Sequence, residues 1–599
     1  MIQLSLNHIG FYFNSLTHLL FFVFCFFFYL TSSAQFIDVS NHLLLETNHV
    51  AGYLGSGVSF VDFNNDGIDD LTFGDSNGAI KFYQCDGESF EQIDLGIEDP
   101  GAEVKSVSWV DIDNDGDLDF MTTNRLSPNK LWRNDSGEFV DISSSCGLDQ
   151  SHNTRSYGVS FGDYNNDGFI DFYICNYHTW IDSKENELYM NNGDGTFYET
   201  TEIAGVGNGF QQSFQSTFID INDDGLLDLH VINDRLDMFN AFYMNNGDGT
   251  FTDKADEWNA DLGILAMSSS FGDYDRDGDL DLYVTNGYDG NVLLENQILD
   301  GMGSFVDMTM NYGVGEYELC WGADWIDYDN DGYLDLYVSS GIDVYSMYPD
   351  VLGTFPEVSN SLYSNDGMMP FSQSYSDLPQ SPQHTFAVAS GDFNNDGFPD
   401  IVSHRLGTYA SFLKGTPSNN KWLKVKLVGV NTNTLGIGCE IEVNVIKPNG
   451  DMQSLHEKVI SGENYLGQNS YTQIFGLSNS VEIESVVVYW TGGEEEYLGP
   501  FDMNSLITLV EGETDLDGNP SEMLGGCTYE GACNYVEEAV VDSGDCDFSC
   551  LCGDGTVWDI SQSKCVANNT CPTDVNSNGT TEVGDLLMIL ATYGFDCSE

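Results

Sequence analysis

The sequence predicts an all-β fold: a seven-bladed β-propeller, then a small β module, then a cysteine-rich tail. Three observations carry this reading. A nine-residue, Asp-rich segment recurs seven times at intervals of 49 to 65 residues. Runs such as VSFVDF precede the copies and runs such as LDLYVT follow them, alternating with the period of two of a β-strand. Asn-Gly and Asp-Gly pairs, as between Leu188 and Phe197, mark a second hairpin in most units. Four strands in about 55 residues, repeated, is the pattern of a propeller blade.

Composition narrows the function classes. The 599 residues carry 96 Asp plus Glu against 18 Lys plus Arg, a formal charge of −78, which excludes phosphate backbones and anionic lipid as electrostatic partners and favours cations. With 41% hydrophobic and 13% aromatic residues the chain buries enough apolar surface to offset its conformational entropy, so it folds. Its 63 Gly and 13 Pro suit a turn-rich fold and disfavour a helical bundle or a collagen-like rod.

Residues 1–34 read as a signal peptide. An apolar stretch from Leu16 to Leu30 contains FFVFCFFFYL and leads into Ser32-Ser33-Ala34, a small-residue cleavage pattern with Gln35 as the mature start. The stretch is shorter than the roughly 20 residues of a spanning helix. No Lys or Arg precedes it, which leaves an uncleaved anchor as the alternative. The expectation is a secreted or cell-surface associated protein with no transmembrane segment in the mature chain.

Residues 35–418 hold the seven copies. Each has Asp at positions 1, 5 and 9, Asp or Asn at position 3 and Gly at position 6. Oxygen side chains at 1, 3 and 5, a backbone carbonyl at 7 and a carboxylate at 9, with Gly for the bend, can wrap a hard cation, and six or more oxygens suit Ca²⁺ better than Mg²⁺. The first copy offers Asp62, Asn64, Asp66, Ile68 and Asp70, and the second Asp111, Asp113, Asp115, Asp117 and Asp119. The third offers Asp163, Asn165, Asp167, Phe169 and Asp171, and the fourth Asp220, Asn222, Asp224, Leu226 and Asp228. The fifth offers Asp273, Asp275, Asp277, Asp279 and Asp281, and the sixth Asp327, Asp329, Asp331, Tyr333 and Asp335. The seventh offers Asp392, Asn394, Asp396, Phe398 and Asp400. These are not EF-hands: position 12 of the first copy is Phe73, not Glu, and strands follow where a helix would be needed.

A fourth-strand signature, Phe followed by polar residues, occurs at Phe90, Phe139, Phe197, Phe251, Phe305 and Phe371, and once before the first loop at Phe36. The seventh unit lacks one. Phe36 to Ser40 is expected to fill that vacancy, closing the ring with strands from both ends of the chain.

The loops resemble FG-GAP or VCBS repeats of integrin-α-type propellers. The L-Y-x-N-N-G-D-G-T-F pattern narrows the resemblance to the cartilage acidic protein family and its bacterial relatives. Asn419-Asn-Lys-Trp, Gly436-Ile-Gly438, Ser461-Gly-Glu-Asn-Tyr-Leu466, Phe475-Gly-Leu477 and Trp490-Thr-Gly-Gly493 are similar to the ASPIC/UnbV domain. The resemblance implies the propeller fold, calcium binding and secretion, and no catalytic chemistry. From the residues alone, 419–512 form a β module with a turn at Pro448-Asn-Gly-Asp451. Six of the 12 lysines lie between Lys414 and Lys458, and a solvated strand face docking on the acidic propeller is favoured over an anionic-ligand site.

After a linker at 513–526, residues 527–571 form a Cys-rich module. Cys527, Cys533, Cys546, Cys550, Cys552, Cys565, Cys571 and Cys597 form a disulfide framework of unspecified pairing, with zinc as the rival. Cys85, Cys146, Cys175, Cys320 and Cys439 are scattered and read as buried hydrophobes or free thiols. Residues 572–599 resemble one half of a dockerin, with Asp574, Asn576, Asn578, Thr580 and Asp585 round a further calcium and docking through the tail as a possible role.

Enzymatic signatures do not hold. Gly158-Val-Ser-Phe-Gly162 has nucleophile-elbow spacing but aligns in the repeat with Gly57 to Val61, so it is a propeller strand, and Ser127-Pro-Asn-Lys130 has no companion motif. The expected function is a calcium-binding extracellular binding or adhesion module for a protein or glycan ligand, without catalysis. The alternative is a carbohydrate-active enzyme using the propeller as scaffold.

Overall fold

Strand runs punctuated by Asp-Gly and Asn-Gly turns fold, in the computed structural model, into repeated four-stranded antiparallel sheets. The structure describes residues 36–49, 54–150, 155–179, 184–299, 302–341, 358–374, 377–379, 384–405, 407–491, 493–498 and 501–512, and four short strands beyond. The signal segment 1–34, nearly all of the linker and Cys-rich module, and the dockerin-like loop with its ligands lie outside the described residues.

Among the described residues, residues 36–415 form seven such sheets. In the third, Ser156–Gly162, Asp171–Asn176, Glu187–Asn191 and Phe197–Glu199 pair in order. The first strands are buried on both faces, as Ser156–Gly162 and Ser213–Ile219 are throughout, while fourth strands such as Phe197–Glu199 and Phe251–Asp253 bury only the leading Phe. Small residues alternating with aromatics in the first strands permit close approach of neighbouring sheets. Those strands neighbour one another in sequence order, and the first strand of the seventh sheet, Thr385–Gly391, returns to that of the first, Val58–Val61. The arrangement is all-β and propeller-like.

The vacancy in the seventh sheet is filled from the other end of the chain: Phe36, Ile37 and Asp38 pair antiparallel with Gly415, Lys414 and Leu413. The strand is shorter than the expected Phe36 to Ser40. It stops at Asp38 because Ser40–Leu43 turns into a short helix, with the Asp38 carboxylate accepting the Ser40 N–H at 3.0 Å.

Residues 421–510 form two further sheets. In one, Lys421–Val428 lies between Gln473–Ser478 and Ser505–Val510; in the other the order is Met452–Lys458, Glu440–Ile446, Glu482–Trp490, Gly493–Leu498. This module does not keep a core to itself. Leu423, Val425, Ile441 and Trp490 belong to one apolar cluster with Val110, Phe161 and Phe172 of the second and third sheets, so residues up to Glu513 make one compact unit.

The module also sends residues 461–472 between the first strands of the sheets. Tyr465 Oη donates to the Leu54 carbonyl at 2.7 Å, and its ring packs against Trp321 and Phe214. Gln468 accepts from Ser59 Oγ and the Trp109 N–H and donates back to the Trp109 carbonyl at 2.7 Å. Gly467–Gln468 adds a parallel strand to the first sheet. Gly467 is required there: a Cβ at that position would stand 1.8 Å from the Val388 carbonyl oxygen.

The second unit, Thr514–Glu599, is described only by two strand pairs, Gly525–Gly526 with Val541–Asp542 and Thr556–Asp559 with Lys564–Ala567. Among the described residues no helix is long and apolar enough to cross a membrane.

Candidate metal centres

Each nine-residue segment joins the first and second strands of its sheet, so all seven emerge at the same end of the array. Their internal geometry repeats. The position-1 carboxylate accepts the position-6 Gly N–H, as in Gly168 to Asp163 Oδ2 at 2.7 Å and Gly332 to Asp327 Oδ2 at 2.7 Å. Its other oxygen accepts the position-5 N–H, at 3.0 Å from Asp167 to Asp163 and from Asp331 to Asp327. The seven position-6 glycines hold φ between 80 and 96°, where a Cβ is strained.

The position-9 aspartates start the second strands and are all but fully buried. One oxygen of each accepts a third-strand N–H: Cys85 to Asp70 at 2.7 Å, Asn134 to Asp119 at 2.7 Å, Gly415 to Asp400 at 2.8 Å, and likewise from Asn191, Asn245, Asn296 and Asn365. In Asp119, Asp171, Asp335 and Asp400 the second oxygen accepts the position-2 N–H of the loop, from Ile112, Tyr164, Tyr328 and Phe393. In Asp70, Asp228 and Asp281 it has no hydrogen-bond partner, and neither have the buried Asp113 Oδ1 and Asp275 Oδ1.

Burial without a counter-charge pushes these carboxyls up. Asp70, Asp119 and Asp228 rise to about 8, and Asp171, Asp281, Asp335 and Asp400 lie well above the ordinary carboxylate range, desolvation being the largest cause in each. Buried, unpartnered carboxylate oxygens at the base of a loop are what a cation satisfies. In three loops three carboxylates converge: oxygens of Asp111, Asp113 and Asp115, of Asp273, Asp275 and Asp281, and of Asp327, Asp329 and Asp335 lie within 4.8 Å of one another, as ligands of one cation would. The other four loops have Asn at position 3, whose amide oxygen would complete the set: Asn64, Asn165, Asn222 and Asn394.

Sequence reasoning overlooked position 4. Its residue sits at positive φ in every loop, and where it is Asn the side chain reaches the next loop. Asn65 donates to the Gly116 carbonyl at 2.8 Å, Asn114 to Gly168 at 2.8 Å, Asn166 to Gly225 at 3.0 Å and Asn330 to Gly397 at 2.9 Å. Asn395 donates to Gly67 at 3.0 Å, returning to the first loop. Arg276 substitutes in the fifth loop, donating to the Asp331 carbonyl at 3.3 Å, while Asp223 takes Lys458. The signal was present, since five of seven copies have Asn there. Third-strand asparagines add a second tie: Asn245 Nδ2 donates to the Tyr164 carbonyl and Asn365 Nδ2 to that of Tyr274, each in the preceding loop.

The module covers this end. Lys424 Nζ lies 3.1 Å from Asp392 Oδ2, both buried, and 2.6 Å from Asn395 Oδ1. Lys426 approaches Asp62 at 3.8 Å, Thr434 Oγ1 donates to Asp111 Oδ2 at 2.6 Å, and Lys458 donates to the Asp220 carbonyl at 2.8 Å. The lysines do dock on acidic loops, but Lys424 and Lys458 are enclosed, not solvated: the face they occupy is the one that packs.

The loops and the module each match a described family. A family model for the FG-GAP-like repeat matches residues 62–122, 111–174, 178–231, 220–284 and 347–403, and one for ASPIC and UnbV matches 429–516. FG-GAP-like repeats thus occupy much of residues 62–403, and an ASPIC and UnbV domain follows at 429–516. The sixth FG-GAP-like loop, 327–335, lies outside the matched ranges, yet its hydrogen bonds repeat those of the others.

No curated protein matches the chain. Among solved structures, the crystal structure of BBS1N in complex with ARL6DN overlaps at 8% identity and TM-score 0.40, covering 64% of this chain and 98% of that one. Saccharomyces cerevisiae Sqt1 overlaps at 11% identity and TM-score 0.35, covering 62% and 100%. Both overlaps are too loose to bear on the role of the FG-GAP-like loops.

Proposed function

We propose that this is a secreted seven-bladed propeller that binds about seven Ca²⁺ in its loops, with one more in the tail, and acts as an extracellular binding or adhesion module without catalysis. The observation that carries the reading is the commitment of the loop end: each loop is tied to a neighbour or to the module, so its cation is structural. Ligand contact then falls to the opposite end, reached by the loops between second and third strands and between sheets. Those loops present Phe210, Leu236, Phe239, Tyr288 and Tyr317, each more than half exposed. Aromatic rings set among carboxylates suit an extracellular protein or glycan surface.

The alternative, a carbohydrate-active enzyme, has little room along the axis of the array, where Tyr465 and Gln468 sit among the first strands. Glycan and protein arrays probed with and without chelator test the reading. Binding that needs calcium and is lost in Phe210→Ala with Phe239→Ala supports it. Polysaccharide cleavage by the purified chain overturns it in favour of the enzyme.

A further inference from the structure

A cavity of about 90 Å³ lies where the fifth, sixth and seventh sheets meet the module and its residues 461–472, bordering the sixth loop. Asp324, from the first strand of the sixth sheet, Glu457, from the module, and Glu463, from the inserted segment, line it. Asp324 is 2% exposed. Its Oδ1 accepts from Asn469 Nδ2 at 3.0 Å, and the same nitrogen donates to Glu463 Oε2 at 3.0 Å, so the two carboxylates are at most about 6 Å apart (twice 3.0). The Asn469 amide cannot turn over to relieve them, because its Oδ1 accepts the Ser390 N–H at 2.9 Å and Asn464 Nδ2 at 3.0 Å.

Two further facts bear on what fills the space. Asp324 Oδ2, on the cavity wall, has no hydrogen-bond partner. Nor does a cationic side chain answer the three carboxylates: among the described residues Lys458 is the one lysine on the wall, and its ammonium is held by Glu440 at 3.2 Å, Asp223 at 3.0 Å and the Asp220 carbonyl. Burial pushes the Asp324 carboxyl to about 6; burial and the charge of Asp324 push Glu463 to about 8, and Glu457 rises well above its usual range. Asp327 also borders the cavity, but its carboxylate belongs to the sixth loop, where it converges with Asp329 and Asp335.

Asp324 is buried and Glu463 and Glu457 half-buried beside it, and carboxylates so placed without a counter-charge are costly unless neutralised. We infer that the cavity is a cation site outside the repeats, in which Asp324 and Glu463, with Glu457 beside them, hold a hard divalent ion and its remaining waters. All-oxygen donors of uneven reach favour Ca²⁺ over Mg²⁺, which demands a regular octahedron. The volume exceeds the roughly 10 to 15 Å³ that one water needs on the same measure, so an ion and several waters fit. Such an ion would pin the inserted segment to the sixth sheet.

Crystals of the full chain grown in calcium, mapped by long-wavelength anomalous diffraction, test this directly. A peak between Asp324 and Glu463, in addition to loop peaks, is expected. Loop peaks with an empty cavity overturn the inference and leave the reading of the loops intact; absence of loop peaks overturns that reading instead. In solution, Asp324→Asn with Glu463→Gln should lower bound calcium by one ion per chain, and an unchanged count in the folded variant contradicts the site. If the variant does not fold, the wild-type map decides.

Discussion

Asn395 Nδ2 donates to the carbonyl oxygen of Gly67 at 3.0 Å across 328 residues of sequence, joining the seventh loop to the first. The same bond made by Asn65, Asn114, Asn166 and Asn330 runs from loop to loop, so the closing contact is one more copy of a repeated joint. It complements the backbone closure by Phe36 to Asp38 at the outer edge of the seventh sheet. The array is thus sealed both at the metal-loop end and at its rim.

Removing the joint has a cost that can be separated from backbone strain. Asn395 holds φ at 52°, which Gly tolerates and Ala does not. Asn395→Gly removes this bond and the one Lys424 Nζ donates to Asn395 Oδ1, and should lose about 2 to 4 kcal/mol, with Asn395→Ala about 1 to 2 kcal/mol lower still. Equal melting temperatures for wild type and the Gly variant would show that the two bonds contribute nothing.

Asp281→Asn should change sign with metal. Its Oδ1 can still accept the Asn296 N–H at 2.8 Å, while the amide replaces an oxygen that has no hydrogen-bond partner. In calcium the variant loses a charged ligand and should melt below wild type. In chelator it avoids the cost of burying or protonating that carboxylate and should melt at or above wild type. Thermal unfolding in both conditions checks the crossing.

Lys424 should matter most when metal is absent. Its ammonium is the buried counter-charge to Asp392, and a bound cation would share that task. Lys424→Met is therefore expected to lower the melting temperature more in chelator than in calcium. A larger loss in calcium would mean that the lysine and the ion do not share the carboxylate.

The pH dependence should also invert. Folded-state pKa values of about 8 at Asp70, Asp119 and Asp228 lie above the unfolded value of 3.8, so in metal-free protein the folded form binds the extra protons. Their contribution is fully present below about pH 4 and is lost as pH rises toward 8. Metal-free protein should thus lose stability from these groups between pH 5 and 8. Calcium-loaded protein should gain it over the same range, because the ligands must be deprotonated. Melting curves that rise with pH in both states would contradict the assignment of these carboxylates as buried ligands.

The loops, the flanking strands and the filling of the seventh sheet by Phe36 were legible because each depends on spacing within a few residues or on counting repeats. The joint at position 4 was written in the sequence, as Asn in five copies, but its partner is a backbone carbonyl some 50 residues away, which no local pattern reveals. That lysines dock on the acidic loops was legible from charge, but the enclosed pairing of Lys424 with Asp392 and the fit of Gln468 against Trp109 were not. They pair elements through the packing of two curved surfaces, and an alternating strand such as WLKVKLV looks the same whether its polar face meets water or acidic loops. For that reason the lysines suggested a solvated face.

The central claim is that seven loops hold calcium and that the fold depends on it. The most direct measurement is thermal unfolding before and after exhaustive chelation, with calcium per chain counted by elemental analysis on the same samples. About seven or more ions in the loaded protein and a clear fall in melting temperature on their removal, restored by calcium, are predicted, the gain being a few kcal/mol by linkage at saturating ion. An unchanged melting curve in protein shown to be free of metal would contradict the account.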